Sequence, residues 1–124
     1  MHVLAVALGG ALGASARYGA GLAATRFWGM NFPYGTLGVN MIGCFAMGIL
    51  VGVFALKDPV DPALKLFLTA GVLGGFTTFS AFSLEALLLY ERKPALGALY
   101  VAASVVLCLA ACWAGMRLMR GVGA

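Results

Sequence analysis

The 124-residue sequence contains little charge and very few acidic groups. Charged residues make up 10% of the chain, whereas hydrophobic residues make up 63%. A water-soluble domain of this size needs more polar surface, so the composition predicts an all-α membrane protein dissolved in the bilayer. The single histidine, His2, is terminal, and Glu85 is the only carboxylate inside an apolar run. Because these groups cannot form a catalytic triad or an acid–base pair, we do not expect an enzyme.

Cysteine is also scarce. Cys44, Cys108 and Cys112 lie inside apolar runs, and no CxxC spacing joins them. The pattern predicts small buried side chains at these positions, without a disulfide bond or a metal site.

Four apolar runs are long enough to cross a membrane. A hydrocarbon core of about 30 Å needs roughly 20 residues of helix per crossing. The predicted helices cover residues of about 3–27, 34–56, 63–90 and 95–119. Only short loops remain between them, so we expect one transmembrane domain, residues 1–124.

Glycines spaced four residues apart predict close helix packing. Lipid gives helices no hydrophobic reason to associate, so small residues that let backbones approach are favoured at their contacts. Such pairs are Gly9/Gly13, Gly48/Gly52 and Gly71/Gly75.

Basic residues are distributed almost evenly between the two sides of the predicted membrane. One side carries Lys57, Lys65, Arg117 and Arg120, and the other carries Arg26, Arg92 and Lys93. The positive-inside rule then gives no direction, so we predict insertion in both orientations. Two copies of opposite orientation would form an antiparallel homodimer, which would complete a pore that four short helices are too few to enclose.

The centre of the third helix is rich in poor helix formers. Residues 74–83 read GGFTTFSAFS, and they predict a break at about Gly74 to Thr78. Within a bilayer, backbone groups freed by a break must be satisfied by protein, water or an ion. The pattern therefore indicates an ion site at the midplane, the alternative being a glycine-rich helix that packs closely.

Aromatic and hydroxyl side chains follow the predicted break on one helical face. Phe79, Phe82 and Ser83 are three and four residues apart. Phenyl rings have positive edges, so rings presented edge-on would solvate an anion without holding it tightly. The alternative is that both rings face lipid or the protein core.

Two further stripes of polar side chains lie on neighbouring helices. Thr36 and Asn40 are four residues apart on the second helix, and Tyr100, Ser104 and Cys108 repeat the spacing on the fourth. An uncharged polar group at bilayer depth needs a partner or a wet cavity. These side chains would either donate to a passing anion or join helices through hydrogen bonds.

One cation lies well inside the first helix. Arg17 would attract anions into a vestibule, or it would form an ion pair with Glu85. The sequence does not separate these alternatives.

Three segments together resemble the CrcB/Fluc family of microbial fluoride channels. They are GGALGASARY at 9–18, GTLGVNMIG at 35–43 and GGFTTFSAFSLE at 74–85. The resemblance implies a passive fluoride channel in the bacterial plasma or inner membrane, which exports fluoride from the cytoplasm and relieves its toxicity. It also implies an antiparallel dual-topology homodimer with two pores and a structural sodium ion at the dimer centre.

The resemblance also assigns roles to individual residues. The carbonyl groups of Gly74 and Thr77 from both subunits would bind sodium. Residues implied along the fluoride path are Phe79 and Phe82 through their ring edges, and Asn40, Thr36, Ser83, Tyr100 and Ser104 through hydrogen bonds. Arg17 would lie at the aqueous vestibule. Cys108 and Ala81 depart from the family's frequent hydroxyl residues, which removes two possible donors.

A small multidrug-type exchanger driven by protons is the alternative function. Such a carrier also has four helices, but it needs an intramembrane carboxylate, usually in the first helix. The first helix carries Arg17 and no acid, so Glu85 would have to serve.

Overall fold

The computed structural model describes residues 2–123, and every regular element in it is helical. In chain order the elements are α1 (His2–Trp28), α2 (Tyr34–Leu56), α3 (Pro62–Leu66), a π-helix (Phe67–Leu73), α4 (Gly74–Phe76), α5 (Ser80–Arg92) and α6 (Pro94–Gly123). The segment Pro62–Arg92 forms the third of four long apolar crossings. The ends agree with the predicted ones within two residues, except that α6 extends to Gly123 instead of 119.

Proline and glycine set several helix ends. Gly29 follows α1 with a φ of 76°, a backbone conformation that glycine adopts without strain. Pro62 is the first residue of α3, where a missing N–H leaves no hydrogen bond unmade, and Asp61 caps this end by accepting from the Ala63 N–H at 3.1 Å. Pro94 begins α6 for the same reason.

Glycines bring α1 against the third crossing. A methyl group added at Gly9 would collide with the backbone at Phe67 and Gly71, and one at Gly13 would collide with the backbone at Val72. Contacts advance in the same chain direction on both elements, so the two crossings run parallel.

Glycines bring α2 and α6 together in the same way. A methyl group at Gly48 would collide with the carbonyl oxygen of Cys112, and one at Gly52 with the side chain of Met119. These helices also run parallel, as alternate crossings of a membrane must. The close packing predicted for the glycine pairs is confirmed.

The helical pattern lapses within the third crossing. Residues 77–79 belong to no helical element, and Thr77 has an extended backbone with φ −87° and ψ 160°. Residues 77–79, which we call the interruption, overlap the predicted range of 74–78, and a full break of the crossing there stays a prediction. Its role as an ion site stays a prediction.

Little of the apolar surface is buried within one chain. Phe82, Leu89 and Tyr100 form a small buried cluster with Ala86, while large hydrophobic side chains are exposed along every crossing. In the most apolar stretch of each crossing, at most 17% of the residues are buried. Such helices need lipid or further protein around them.

Candidate functional site

The Asn40 side chain holds the interruption from α2. Its Nδ2 donates to the Thr78 carbonyl oxygen at 3.0 Å, and its Oδ1 accepts from the Thr78 N–H at 2.8 Å. In a continuous helix the Thr78 N–H would donate to the Gly74 carbonyl, so this pairing removes the helical donor of that carbonyl. Asn40 therefore joins α2 to the third crossing through hydrogen bonds, which is one of the two roles considered for it. One N–H of its amide remains after these bonds.

Arg17 contacts the same segment from α1. Its Nε donates to the Gly75 carbonyl oxygen at 3.2 Å, so the cation satisfies a peptide group at the end of α4. Arg17 and Glu85 line one cavity of about 270 Å³. The Gly75 contact was not foreseen from the sequence, which offered Glu85 as the direct partner.

The two phenylalanines of the motif occupy different environments. Phe79 is 77% exposed, whereas Phe82 is buried beside Tyr100. Their ring centroids are 5.6 Å apart with 48° between the planes, so the rings are tilted and not stacked face to face. Phe82 is thus fixed by packing within the chain. Phe79 is left for contact with another protein chain or with lipid.

A cavity of about 350 Å³ lies between the interruption, α2 and α6, and we call it the central cavity. Its lining includes Asn40, Cys44, Thr77, Thr78, Phe79, Phe82, Ser104 and Cys108. The structure therefore brings together five of the predicted pore and sodium residues: Asn40, Thr77, Phe79, Phe82 and Ser104.

Ser104 lines the central cavity and has a buried hydroxyl group. Its side chain is 6% exposed, and within residues 2–123 its Oγ has no hydrogen-bond partner. A buried hydroxyl without a partner is destabilising by about 1–3 kcal/mol on mutational scales, so a polar guest is expected to satisfy it.

Tyr100 connects the remaining polar residues. Its hydroxyl donates to Glu85 Oε1 at 3.4 Å and also faces the Thr36 side chain. Thr36 and Glu85 line a second cavity of about 290 Å³ toward the loop between α1 and α2. The polar stripes of α2 and α6 thus meet at Thr36 and Tyr100. The sequence did not indicate that Glu85 bonds to Tyr100 at this point.

Ser83 lies outside the cavities, whereas Thr77, one of the two predicted sodium residues, lines the central cavity. The Ser83 hydroxyl donates to the Phe79 carbonyl at 2.9 Å, within its own helix turn, and Ser83 lines none of the three cavities given above. The Thr77 hydroxyl donates to the Leu73 carbonyl at 2.9 Å. The Thr77 carbonyl lies outside any helical element. Sodium binding at Gly74 and Thr77 stays a prediction.

Comparison with known proteins places this arrangement in a family. The family model described as "CrcB-like protein, Camphor Resistance (CrcB)" matches residues 4–116. A protein of Rhizobium etli named fluoride-specific ion channel FluC is 48% identical over 123 residues, covering 98% of both chains. One of the same name from Cereibacter sphaeroides is 55% identical over 120 residues, covering 96% of this chain and 94% of the relative.

The match extends through all four crossings and includes every residue of the central cavity. A third protein of that name, from Rhodopseudomonas palustris, is 47% identical over 98% of this chain and 99% of the relative. With four apolar crossings, the chain is a multi-pass bacterial membrane protein, and it belongs to the CrcB family.

Proposed function

We propose that this protein is a passive fluoride-selective ion channel. The curated relatives are named fluoride-specific ion channels and they align over nearly the whole chain, so the same activity is proposed here. The chain is not an enzyme, because its family is one of channels.

The unpartnered Ser104 hydroxyl is the observation that carries this proposal. The hydroxyl is buried without a partner within residues 2–123, Ser104 lines the central cavity, and the hydroxyl has a proton to donate. Fluoride is a small anion that holds its water strongly, so a pore must replace lost water with donors at each step. Ser104 supplies one such donor at the depth of the interruption.

Other groups complete a path of weak donors. Asn40 lines the central cavity and keeps a second N–H, and the positive edges of Phe79 and Phe82 would offer further contact with an anion. Thr36, Tyr100 and Ser83 would extend the path beyond the cavity, the last two by giving up the bonds that their hydroxyls make to Glu85 and to the Phe79 carbonyl. None of these groups carries a positive charge, so each holds the anion weakly enough for it to leave.

The interruption at residues 77–79 is proposed to be a functional discontinuity. It places Thr78 within reach of Asn40, and the extended Thr77 separates α4 from α5. Arg17, bonded to Gly75, adds positive potential near the vestibule. The interruption and Arg17 would together favour an anion beside this segment.

Export follows from the membrane potential. An inside-negative potential of 100 mV corresponds to about 2.3 kcal/mol per charge, which is roughly a 50-fold lower fluoride concentration inside at equilibrium. A passive pore therefore lowers cytoplasmic fluoride without another energy source, and this would relieve fluoride toxicity.

An antiparallel homodimer is proposed as the working assembly. Phe79 lines the central cavity and is 77% exposed, and the four crossings bury little of their apolar surface within one chain. A second copy in the opposite orientation would close the cavity and give two equivalent pores. Near-equal numbers of basic residues at the two sides support insertion both ways.

A structural sodium ion is proposed at the centre of that dimer. Thr78 donates to Asn40, so the Gly74 carbonyl has lost its helical donor, and the Thr77 carbonyl precedes α5. Carbonyl oxygens suit hard cations. Two copies would present four such oxygens, from Gly74 and Thr77 of each.

Flux from liposomes tests the function. We expect reconstituted protein to release fluoride rapidly, to release chloride at a small fraction of that rate, and to do so equally with and without a proton gradient. Equal chloride release would refute fluoride selectivity, and proton-driven uptake of a cationic dye would favour the exchanger. Replacing sodium by N-methylglucamine during reconstitution is expected to reduce fluoride release; unchanged flux would refute the sodium site.

A further inference from the structure

Two thiols from different helices meet in the wall of the central cavity. Cys44 on α2 and Cys108 on α6 both line it, each four residues before the direct contact of Gly48 with Cys112. Both are free thiols, and both are partly accessible. The pair lies one helical turn from Asn40 on α2 and one turn from Ser104 on α6.

Backbone packing fixes the separation of these thiols. One turn further along, Gly48 and Cys112 bring the two backbones into direct contact, and Gly115 repeats the contact against Phe45. These repeated backbone contacts fix the register of α2 against α6, so neither helix can slide along the other. Cys44 and Cys108 thus lie at the same level on two helices that are fixed against each other.

The chemistry of two opposed thiols selects a narrow class of ligand. Soft cations such as Hg²⁺, Ag⁺ and Cu⁺ prefer thiolate sulfur. Within residues 2–123, no three His, Cys, Asp or Glu side chains gather around a possible ion, so the four-ligand site that structural zinc requires is not present there.

We propose that Cys44 and Cys108 form a two-thiolate site for a soft metal cation, and that the bound cation obstructs the central cavity. Each thiol releases its proton as a metal–sulfur bond forms, so Hg²⁺ and two thiols give a neutral S–Hg–S bridge and two protons. No oxidant or reductant is needed.

Obstruction follows from position and rests on the proposed function. The bridge would lie between the two walls of the central cavity, one turn beyond the Ser104 hydroxyl that we assign to the anion path. A metal with its two sulfur ligands would fill the space between α2 and α6 at that level. The site therefore makes fluoride flux sensitive to soft metals, and the sensitivity belongs to this pair of thiols.

Titration of the purified, full-length protein with HgCl₂ tests the site without any flux measurement. Metal–thiolate absorption in the ultraviolet reports bridging, and a monothiol competitor measures its strength. We expect Cys44→Ser and Cys108→Ser each to weaken Hg²⁺ binding by more than the roughly 10- to 100-fold typical of an outer-shell change, because a direct ligand is lost. Cys112→Ser is the matched control and is expected to bind as tightly as the unaltered protein.

The outcomes separate the two parts of the proposal. Equal binding in all four proteins, or loss of binding in Cys112→Ser as well, would overturn the two-thiolate site. In liposomes, HgCl₂ is expected to stop fluoride release by the unaltered protein and by Cys112→Ser, with recovery after dithiothreitol, and to leave the two other variants at their own metal-free rates. Continued flux with mercury bound would overturn the obstruction, whereas no flux before mercury would refute the channel function and leave the binding result standing.

Discussion

The Ser104→Ala substitution separates a role in conduction from a role in folding. The Ser104 hydroxyl is buried and, within residues 2–123, has no partner, so its removal breaks no internal hydrogen bond. Alanine is also the better helix former by roughly 0.5 kcal/mol. The variant is therefore expected to be as stable as the unaltered protein or more stable, by up to about 1 kcal/mol.

Conduction is expected to change in the opposite direction. A hydrogen bond to a charged group contributes about 1.5–3 kcal/mol, which corresponds to a fall in fluoride flux on the order of 10- to 100-fold if that donor meets the anion at its least stable position. Fluoride release from liposomes and thermal unfolding in detergent are the two measurements. Ser15→Ala is the control, since Ser15 is an exposed serine of α1: it should gain the same helix propensity and leave fluoride release unchanged.

A structural role for Ser104 would give the reverse pattern. If Ser104→Ala unfolded several degrees lower and conducted normally, the hydroxyl would be supporting the helices and the reasoning on the anion path would be wrong.

Three further predictions follow from the same geometry. Asn40→Ala leaves two peptide groups of the interruption without partners and should destabilise the protein by about 2–4 kcal/mol, measured by thermal unfolding, with loss of flux; unchanged stability would contradict the role of this pairing. Gly13→Ala should disrupt the contact of α1 with the third crossing, whereas Gly10→Ala, which has open space, should not, as judged by the yield of folded protein on size exclusion; equal yields would show that the contact is dispensable. Phe79→Ile and Phe82→Ile should each lower fluoride release without loss of assembly, and normal conduction by both would refute their assignment to the pore.

Some of the fold could be predicted because its causes are local. The crossings follow from apolar length, and the close contacts follow from glycines spaced at one helical turn, such as Gly9 with Gly13. Pro62 and Pro94 mark helix starts for a reason that lies in the residue itself. These features need no knowledge of what lies across the bundle.

The contacts of the site depend on register between helices and could not be predicted in detail. Helix propensity placed the interruption only within a range, and Asn40, 38 residues away, pairs with Thr78 inside that range. The bond from Arg17 to Gly75 joins residues 58 apart. The stripe of Thr36 and Asn40 was readable from its spacing, but the way it meets α6 was not.

A planar-bilayer recording with fluoride on both sides and a tenfold gradient tests the central claim most directly. A passive fluoride-selective pore predicts a current that reverses near the fluoride equilibrium potential, about 59 mV in magnitude, and that stays there when a chloride or pH gradient is added. A reversal potential that follows chloride or protons, or a protein that carries no fluoride current, would contradict the account.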